Sequence, residues 1–229
     1  MKARIKFRKY GVMKFIGHLD VMRFFQKVMR RADIPIAFTG GFSPHMIMSF
    51  ANPLGVGVTS DGEYFDIELT QEIDMLKAVE RMNEVVVEGI DIVNMVPIPD
   101  DKKCTGMSIV AAADYISSVK LGQFPEDFNE KTAGFMNQSS INIVKKTKKS
   151  EKEVDIKPMI YKFEERDGSL YMLVATGSVQ NLKPELVMQA FCNYLGVDYE
   201  EFSFVHHRLD VYANVGTEEE KKFVSLDQV

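Results

Sequence analysis

Four histidines are the residues on which acid–base catalysis or metal binding in this chain would depend. His206 and His207 are adjacent in a predicted strand, so their side chains point to opposite faces and cannot readily ligate one ion. His18 stands where a helix is predicted to begin, and a capping role is expected there. His45 lies in a glycine- and proline-rich loop, where an imidazole could act as a general base on an RNA 2′-hydroxyl or contact a phosphate. The alternative for His45 is a loop imidazole that only satisfies backbone groups.

Other catalytic signatures are missing from the sequence. Ser43 precedes a proline and lacks the Gly-x-Ser-x-Gly context of a hydrolase nucleophile. The stretch Gly55-Val56-Gly57 has Ser60 where the third glycine of a dinucleotide fingerprint belongs, and no Gly-Lys-Ser/Thr of a P-loop occurs. Cys104 and Cys192 are the only cysteines, too few for a disulfide framework and too far apart for metal-ligand spacing. We therefore expect no metal and no cofactor, and the sequence identifies no active site.

Basic residues give a clearer signal than the histidines. The whole chain has 229 residues and a formal net charge of −5. Residues 1–32 nevertheless hold ten basic side chains against one acid, Asp20. Such a local excess of positive charge can steer polyanions even when the net charge is negative. The first thirty residues are therefore the part of the chain to examine for a binding surface.

The hydrophobic pattern predicts an α+β protein with two domains. Ala3, Ile5 and Phe7 alternate with cations, as in a half-buried strand, and residues 17–32 carry apolar side chains at helical spacing. The order of elements over 1–99 is βαββαβ, that of a ferredoxin-like domain. A proline-containing linker separates it from a second, less regular α+β domain at 104–216, which could be a degenerate ferredoxin-like copy. Residues 217–229 are predicted to be an acidic, flexible tail.

This fold divides the basic residues into two groups. The first and third strands of a ferredoxin-like sheet are antiparallel neighbours, so Arg4, Lys6 and Arg8 should lie beside Asp66 and Glu68. Opposite charges across a ladder attract by about 0.2–1 kcal/mol per pair. The helix flank and the loop after it have no such complement and are predicted to meet phosphates. The predicted nucleic-acid-binding residues are Lys9, Lys14, Arg23, Lys27, Arg30, Arg31 and His45.

Several short motifs carry a resemblance to a known family. In chain order they include Gly17-His18-Leu19-Asp20, Arg23-Phe24-Phe25, Gly41-Phe42-Ser43-Pro44-His45, Pro53-Leu54-Gly55-Val56-Gly57, Ser60-Asp61-Gly62-Glu63-Tyr64, Gly177-Ser178-Val179-Gln180-Asn181 and His207-Arg208-Leu209-Asp210. Together they resemble the radical SAM-linked protein family, a bacterial domain of unknown function. Its members occur alone or as the carboxyl-terminal part of radical SAM proteins. No reaction and no established catalytic residue comes with this family.

The resemblance implies an accessory role. The chain cannot itself hold a radical SAM cluster, which needs three closely spaced cysteines. We expect a cytoplasmic protein with no membrane association that binds RNA (tRNA or rRNA) or a ribosomal component for a separate radical SAM protein, and that is not an enzyme on its own. Two alternatives remain open. One is a protein–protein adaptor for an acidic partner, and the other is a metal-independent ribonuclease that uses His45.

Overall fold

Two units make up the structure, a computed structural model that describes residues 1–122, 125, 127–146 and 151–229. The first unit contains Met1–Ala112 and Arg208–Val229, and the second contains Ala113–His207. These boundaries differ from the predicted domains 1–99 and 104–216. The reason is that the last long strand, β10 (Phe204–Asn214), passes from the second unit into the first instead of closing the second.

The strands of the first unit form an antiparallel arrangement in the order β4-β1-β3-β10, while β2 also pairs with β3 and β11 pairs with β10. They are β1 (Lys2–Lys9), β2 (Met48–Phe50), β3 (Thr59–Glu68), β4 (Ile90–Ile98) and β11 (Phe223–Ser225). With helices α1 (His18–Arg31) and α2 (Met75–Asn83), they give the predicted βαββαβ order over the first hundred residues. Because β2 has only three residues and β10 also neighbours β3, the ferredoxin-like assignment stays a prediction.

Helix α1 covers one face of this sheet because its apolar residues recur at helical spacing. Phe25 and Met29 are fully buried, and Val21 and Val28 are nearly so. The Phe25 ring lies 4.7 Å from that of Phe7 on β1 and 4.6 Å from that of Phe65 on β3, distances at which aromatic pairs add to the burial of apolar area. The helix ends at Arg31 with Ala32 as its C-cap, and Asp33, which follows, has a left-handed φ of 50°. The face of α1 opposite the aromatic cluster is left to solvent.

Helix α2 is capped by Asp74, whose carboxylate accepts a hydrogen bond from the Lys77 backbone N–H at 3.2 Å. A short helix, α3 (Gly106–Ile109), follows β4 and precedes β5 (Val110–Val119).

The carboxyl-terminal segment differs from the flexible tail predicted for 217–229. β11 pairs with β10 from Tyr212↔Ser225 to Asn214↔Phe223. A 3₁₀ turn at Leu226–Gln228 follows, and the side chain of Leu226 is 0% exposed. An apolar residue at 226 and polar groups that bond back to the sheet hold this segment in place.

The second unit contains a sheet with the strand order β10-β5-β9-β8 and a separate hairpin of β6 and β7. Its elements are α4 (Phe128–Met136), β6 (Asn142–Lys146), β7 (Glu151–Asp155), β8 (Ile160–Arg166), β9 (Ser169–Ala175) and α5 (Pro184–Leu195). The rings of Phe135, Phe163 and Phe191 lie 5.0–5.2 Å apart and form its core. Gly196, at φ 71°, ends α5 as predicted, in a conformation that glycine adopts without steric cost. The protein is thus of mixed α+β class, as its sequence predicts.

Candidate nucleic-acid interface

Two cations of β1, Arg4 and Lys6, form ion pairs inside the fold. Arg4 is 1% exposed and forms a two-pronged ion pair with Asp66, at 2.8 and 3.2 Å. Its remaining N–H groups donate to the carbonyls of Leu226 and Cys104 at 2.8 and 2.7 Å. Asp66 also accepts from the Gly106 backbone N–H at 2.6 Å. The predicted proximity of Arg4 and Asp66 is therefore confirmed, but the pair is buried beneath residues that come from two later segments.

Lys6 finds its partners at the far end of the chain instead of on β3. Its ammonium lies 2.7 Å from one carboxylate oxygen of Asp210 and 3.7 Å from Asp227. Tyr64 donates to the same two carboxylates at 2.6 and 3.2 Å, and burial together with those charges raises the pKa of its hydroxyl. This buried polar cluster ties β1 and β3 to β10 and to the turn after β11.

A second buried ion pair links β3 to β10. Arg208 contacts both carboxylate oxygens of Glu63, at 2.9 and 3.2 Å, and donates to the Asn52 carbonyl. Burial raises the pKa of the Glu63 carboxyl, and this rise is opposed by the Arg208 guanidinium, whose charge and hydrogen bonds lower the same pKa. Charges removed from water in this way need a hydrogen-bonded partner.

Lys9 cannot serve as a surface contact. It is 2% exposed, its ammonium donates to the Ile16 carbonyl at 2.9 Å, and burial lowers its pKa. Lys9 therefore anchors the chain segment before α1 and must be taken out of the predicted nucleic-acid-binding set.

The basic face of α1, formed by Arg23, Lys27, Arg30 and Arg31, is exposed. Arg23 lies 3.2 Å from Asp20, so it does have an acidic complement, contrary to the sequence-based expectation. Both members of that pair are mostly exposed, and such surface pairs contribute little. The other three cations of this face form no ion pair with a residue that the structure describes.

The hairpin that contains His45 leaves the sheet at the end where α1 finishes. Ile36 bridges to Leu69, just past the end of β3, and Phe38 bridges to Met46. His45 is exposed, and its Nδ1 lies 3.1 Å from the Thr39 hydroxyl. The imidazole thus takes part in closing the hairpin, and its surroundings include no second acid or base among the hydrogen bonds of the described residues.

Lys14 lies at the opposite end of α1, in a 3₁₀ turn at Gly11–Phe15 that precedes the helix. Its carbonyl accepts from the Gly57 backbone N–H at 2.8 Å, and its ammonium lies 5.2 Å from the centre of the Phe15 ring. The structure therefore places Lys14 before the first turn of α1 and Arg30, Arg31 and the His45 hairpin at or beyond the last. The predicted residues are thus distributed before, along and after the helix.

His18, His206 and Cys192 lie in packed or buried positions. Gly17, not His18, caps α1, and His18 packs edge-on against Phe50 at 5.0 Å; burial and Lys9 lower its pKa. His206 is buried, with Nδ1 2.8 Å from the Ser117 hydroxyl. Burial raises the pKa of the Cys192 thiol to about 11, which disfavours the thiolate.

Neither a metal site nor a membrane-spanning helix is found among the described residues. No group of three or more His, Cys, Asp or Glu side chains there could hold a metal ion. None of the helices within the same residues is long and apolar enough to cross a membrane.

Comparisons with known proteins show the family of this chain and some similar solved structures. A comparison with curated proteins returns no match. Among solved structures, a similar chain belongs to the crystal structure of a Cbf5-Nop10-Gar1 complex, with 12% identity, a TM-score of 0.47, and coverage of 91% of this chain and 48% of that one. The present chain thus spans about half the length of that relative. The model of a family described as an uncharacterized protein conserved in bacteria (DUF2344) matches residues 2–184. Since that match takes in most of the sequence, the chain belongs to this bacterial family.

Proposed function

We propose that this protein binds RNA through the basic face of α1, with Lys14 and His45 at its two ends. The observation that carries this proposal is the exposure of Lys27, Arg30 and Arg31 without an ion-pair partner among the described residues. Cations that are free to neutralise phosphates release condensed counterions, which is the main source of affinity for nucleic acids. Lys9, which is buried, is not part of the proposed surface.

The finer role that we propose is that of an accessory protein. Its RNA would be a tRNA or rRNA, or a ribosomal component that contains it, presented to a separate radical SAM protein. This part rests on the motifs that resemble the radical SAM-linked family and on the lack of the three clustered cysteines that the chemistry itself requires. The protein would act in the cytoplasm, where such substrates are found.

The experiment is salt-dependent binding of a labelled tRNA or rRNA fragment, measured by fluorescence anisotropy. The triple variant Arg23→Glu, Lys27→Glu and Arg30→Glu should bind much more weakly. It should also lower the slope of log affinity against log salt by about 2–3, because each lost phosphate contact removes close to one counterion. The matched control carries the same charge change at three other exposed lysines of the first unit, Lys77, Lys102 and Lys103.

Two results would overturn this proposal. Equal binding by the two triple variants would mean that RNA does not use α1. A partner that is captured from lysate, survives nuclease treatment and is lost only with the α1 triple variant would instead make the protein an adaptor for an acidic protein. RNA that is cleaved by the wild type and left intact by His45→Ala, with binding retained, would add ribonuclease activity to the binding role.

A further inference from the structure

We infer that the RNA bound along α1 is single-stranded, and that its unpaired bases stack on Phe42 at one end of the helix and on Phe15 at the other. This inference rests on the proposed function and specifies the form of nucleic acid that the same surface takes. Both side chains are aromatic and exposed, and in the chain they stand on either side of the basic helix, so they combine with its cations in the way that binding of single-stranded nucleic acid requires.

Phe42 lies at the tip of the hairpin after α1 and is fully exposed. The hairpin is held below it by a bond from the Thr39 N–H to the His45 carbonyl at 2.9 Å and by one from the His45 N–H to the Thr39 hydroxyl at 3.1 Å. Gly41, at φ 99°, makes the turn possible. A ring presented by a closed hairpin needs little ordering before a base can stack on it.

Phe15 is 66% exposed and ends the 3₁₀ turn before α1. The carbonyl of the next residue, Ile16, accepts the hydrogen bond from buried Lys9, and the preceding residue is tied to Gly57. The backbone at Phe15 is thus fixed on both sides. The Lys14 ammonium lies 5.2 Å from the centre of the Phe15 ring and adds a cation at this end of the helix.

Phe15 precedes α1 in the chain, and Phe42 follows it in the next hairpin. Since α1 has 14 residues, its axis is about 21 Å long. The basic face of α1 fills the interval between the rings with exposed cations. An electrostatic track with aromatic side chains on which bases stack is the arrangement that single-stranded nucleic acid requires, with sites of about 4–16 nucleotides.

Duplex RNA would make poor use of these rings. In a duplex the base faces are already stacked on one another, and proteins contact its phosphates and 2′-hydroxyls. Phosphate contacts alone explain the cations but not the two exposed aromatic side chains. Unpaired bases account for both features at once.

The test compares a labelled single-stranded RNA of about 12 nucleotides with the same sequence as a duplex and with an abasic oligomer of equal length. Phe15→Ala and Phe42→Ala should each weaken single-strand binding at least about fivefold, because a base–aromatic stack contributes that much or more. Binding of the duplex and of the abasic oligomer should change less than about twofold. The control is Leu76→Ala, at an exposed apolar residue on α2.

The possible failures are distinguishable. If the wild type binds the duplex and the abasic oligomer as tightly as the single strand, and the phenylalanine variants lose nothing, base stacking is refuted while RNA binding through α1 stands. If no form of RNA binds, the proposed function itself fails. If the two phenylalanines matter only for capture of a protein from nuclease-treated lysate, the inference is overturned in favour of a protein partner.

Discussion

The cations of β1 and those of α1 are close in sequence but differ in their exposure and in their ion pairing. Arg4 and Lys6 are little exposed, and they are paired with the carboxylates of Asp66, Asp210 and Asp227. The cations of α1 are exposed, and only Arg23 has a carboxylate partner among the described residues. A count of charges along the chain treats the two groups as one basic block, whereas only the helix contributes strongly to the surface potential.

The difference arises from what covers each element. α1 lies on the outer side of its sheet, so its polar flank stays in water. The opposite side of β1 and β3 is covered by residues around Cys104 and by the segment that ends the chain. Buried cations need carboxylates, which here are Asp66 on β3, Asp210 on β10 and Asp227 in the final turn. The charge of β1 therefore stabilises the fold, and that of α1 remains available to a ligand.

The substitution Arg4→Met should give the largest loss of stability. It keeps an apolar stem in place of the arginine but leaves the Asp66 carboxylate buried without its cation, which typically costs about 3–5 kcal/mol. Urea unfolding followed by circular dichroism measures this loss. The RNA affinity of the folded fraction should stay at the wild-type value.

Arg8→Met is the matched control on the same strand. Arg8 is half exposed and lies 3.7 Å from Asp61, so its removal should change the free energy of unfolding by less than about 1 kcal/mol. Equal losses for the two variants would contradict the contrast between buried and exposed cations on β1.

The second prediction concerns the segment that covers β1. Leu226→Ala should lower the free energy of unfolding by about 2–4 kcal/mol, because it removes buried methyl groups and leaves a cavity. It should also weaken the bond from Arg4 to the carbonyl of residue 226. Val229→Ala, at an exposed position in the same segment, should be close to neutral. A flexible tail would make both substitutions neutral in the same unfolding measurement.

Local patterns in the sequence predict much of the first unit. The alternation of Ala3, Ile5 and Phe7 with cations gives β1 and its two faces, and the pairing Arg4↔Asp66 follows from the strand order. The same alternation also places Lys9 on the core side of the strand, so its burial could have been anticipated. Helix α1 is predicted correctly as well, and it ends just before Asp33.

Long-range partners could not be predicted in this way. The acids that hold Lys6 lie more than 200 residues further along the chain, and Arg208 reaches back to Glu63. Neither pairing leaves a periodic signal, because it depends on where β10 enters the first unit. The only hint is that Glu63, Arg208 and Asp210 belong to the motifs that carry the family resemblance. Their buried contacts give those motifs a structural role.

Asp20→Asn should have the smallest effect and tests the one cation of α1 that is paired. Removing the carboxylate frees Arg23 and makes the helix face more positive, so affinity for single-stranded RNA should rise, by less than about fivefold, at low salt. The gain should disappear at high salt, where exposed charges are screened. Glu72→Gln, at an exposed acid outside α1, changes the net charge equally and is the control. An equal gain in both variants would mean that net charge alone sets the affinity. A gain in affinity confined to Asp20→Asn would show that the RNA phosphates bind along α1. It would also show that Asp20 limits how many cations of α1 the phosphates contact.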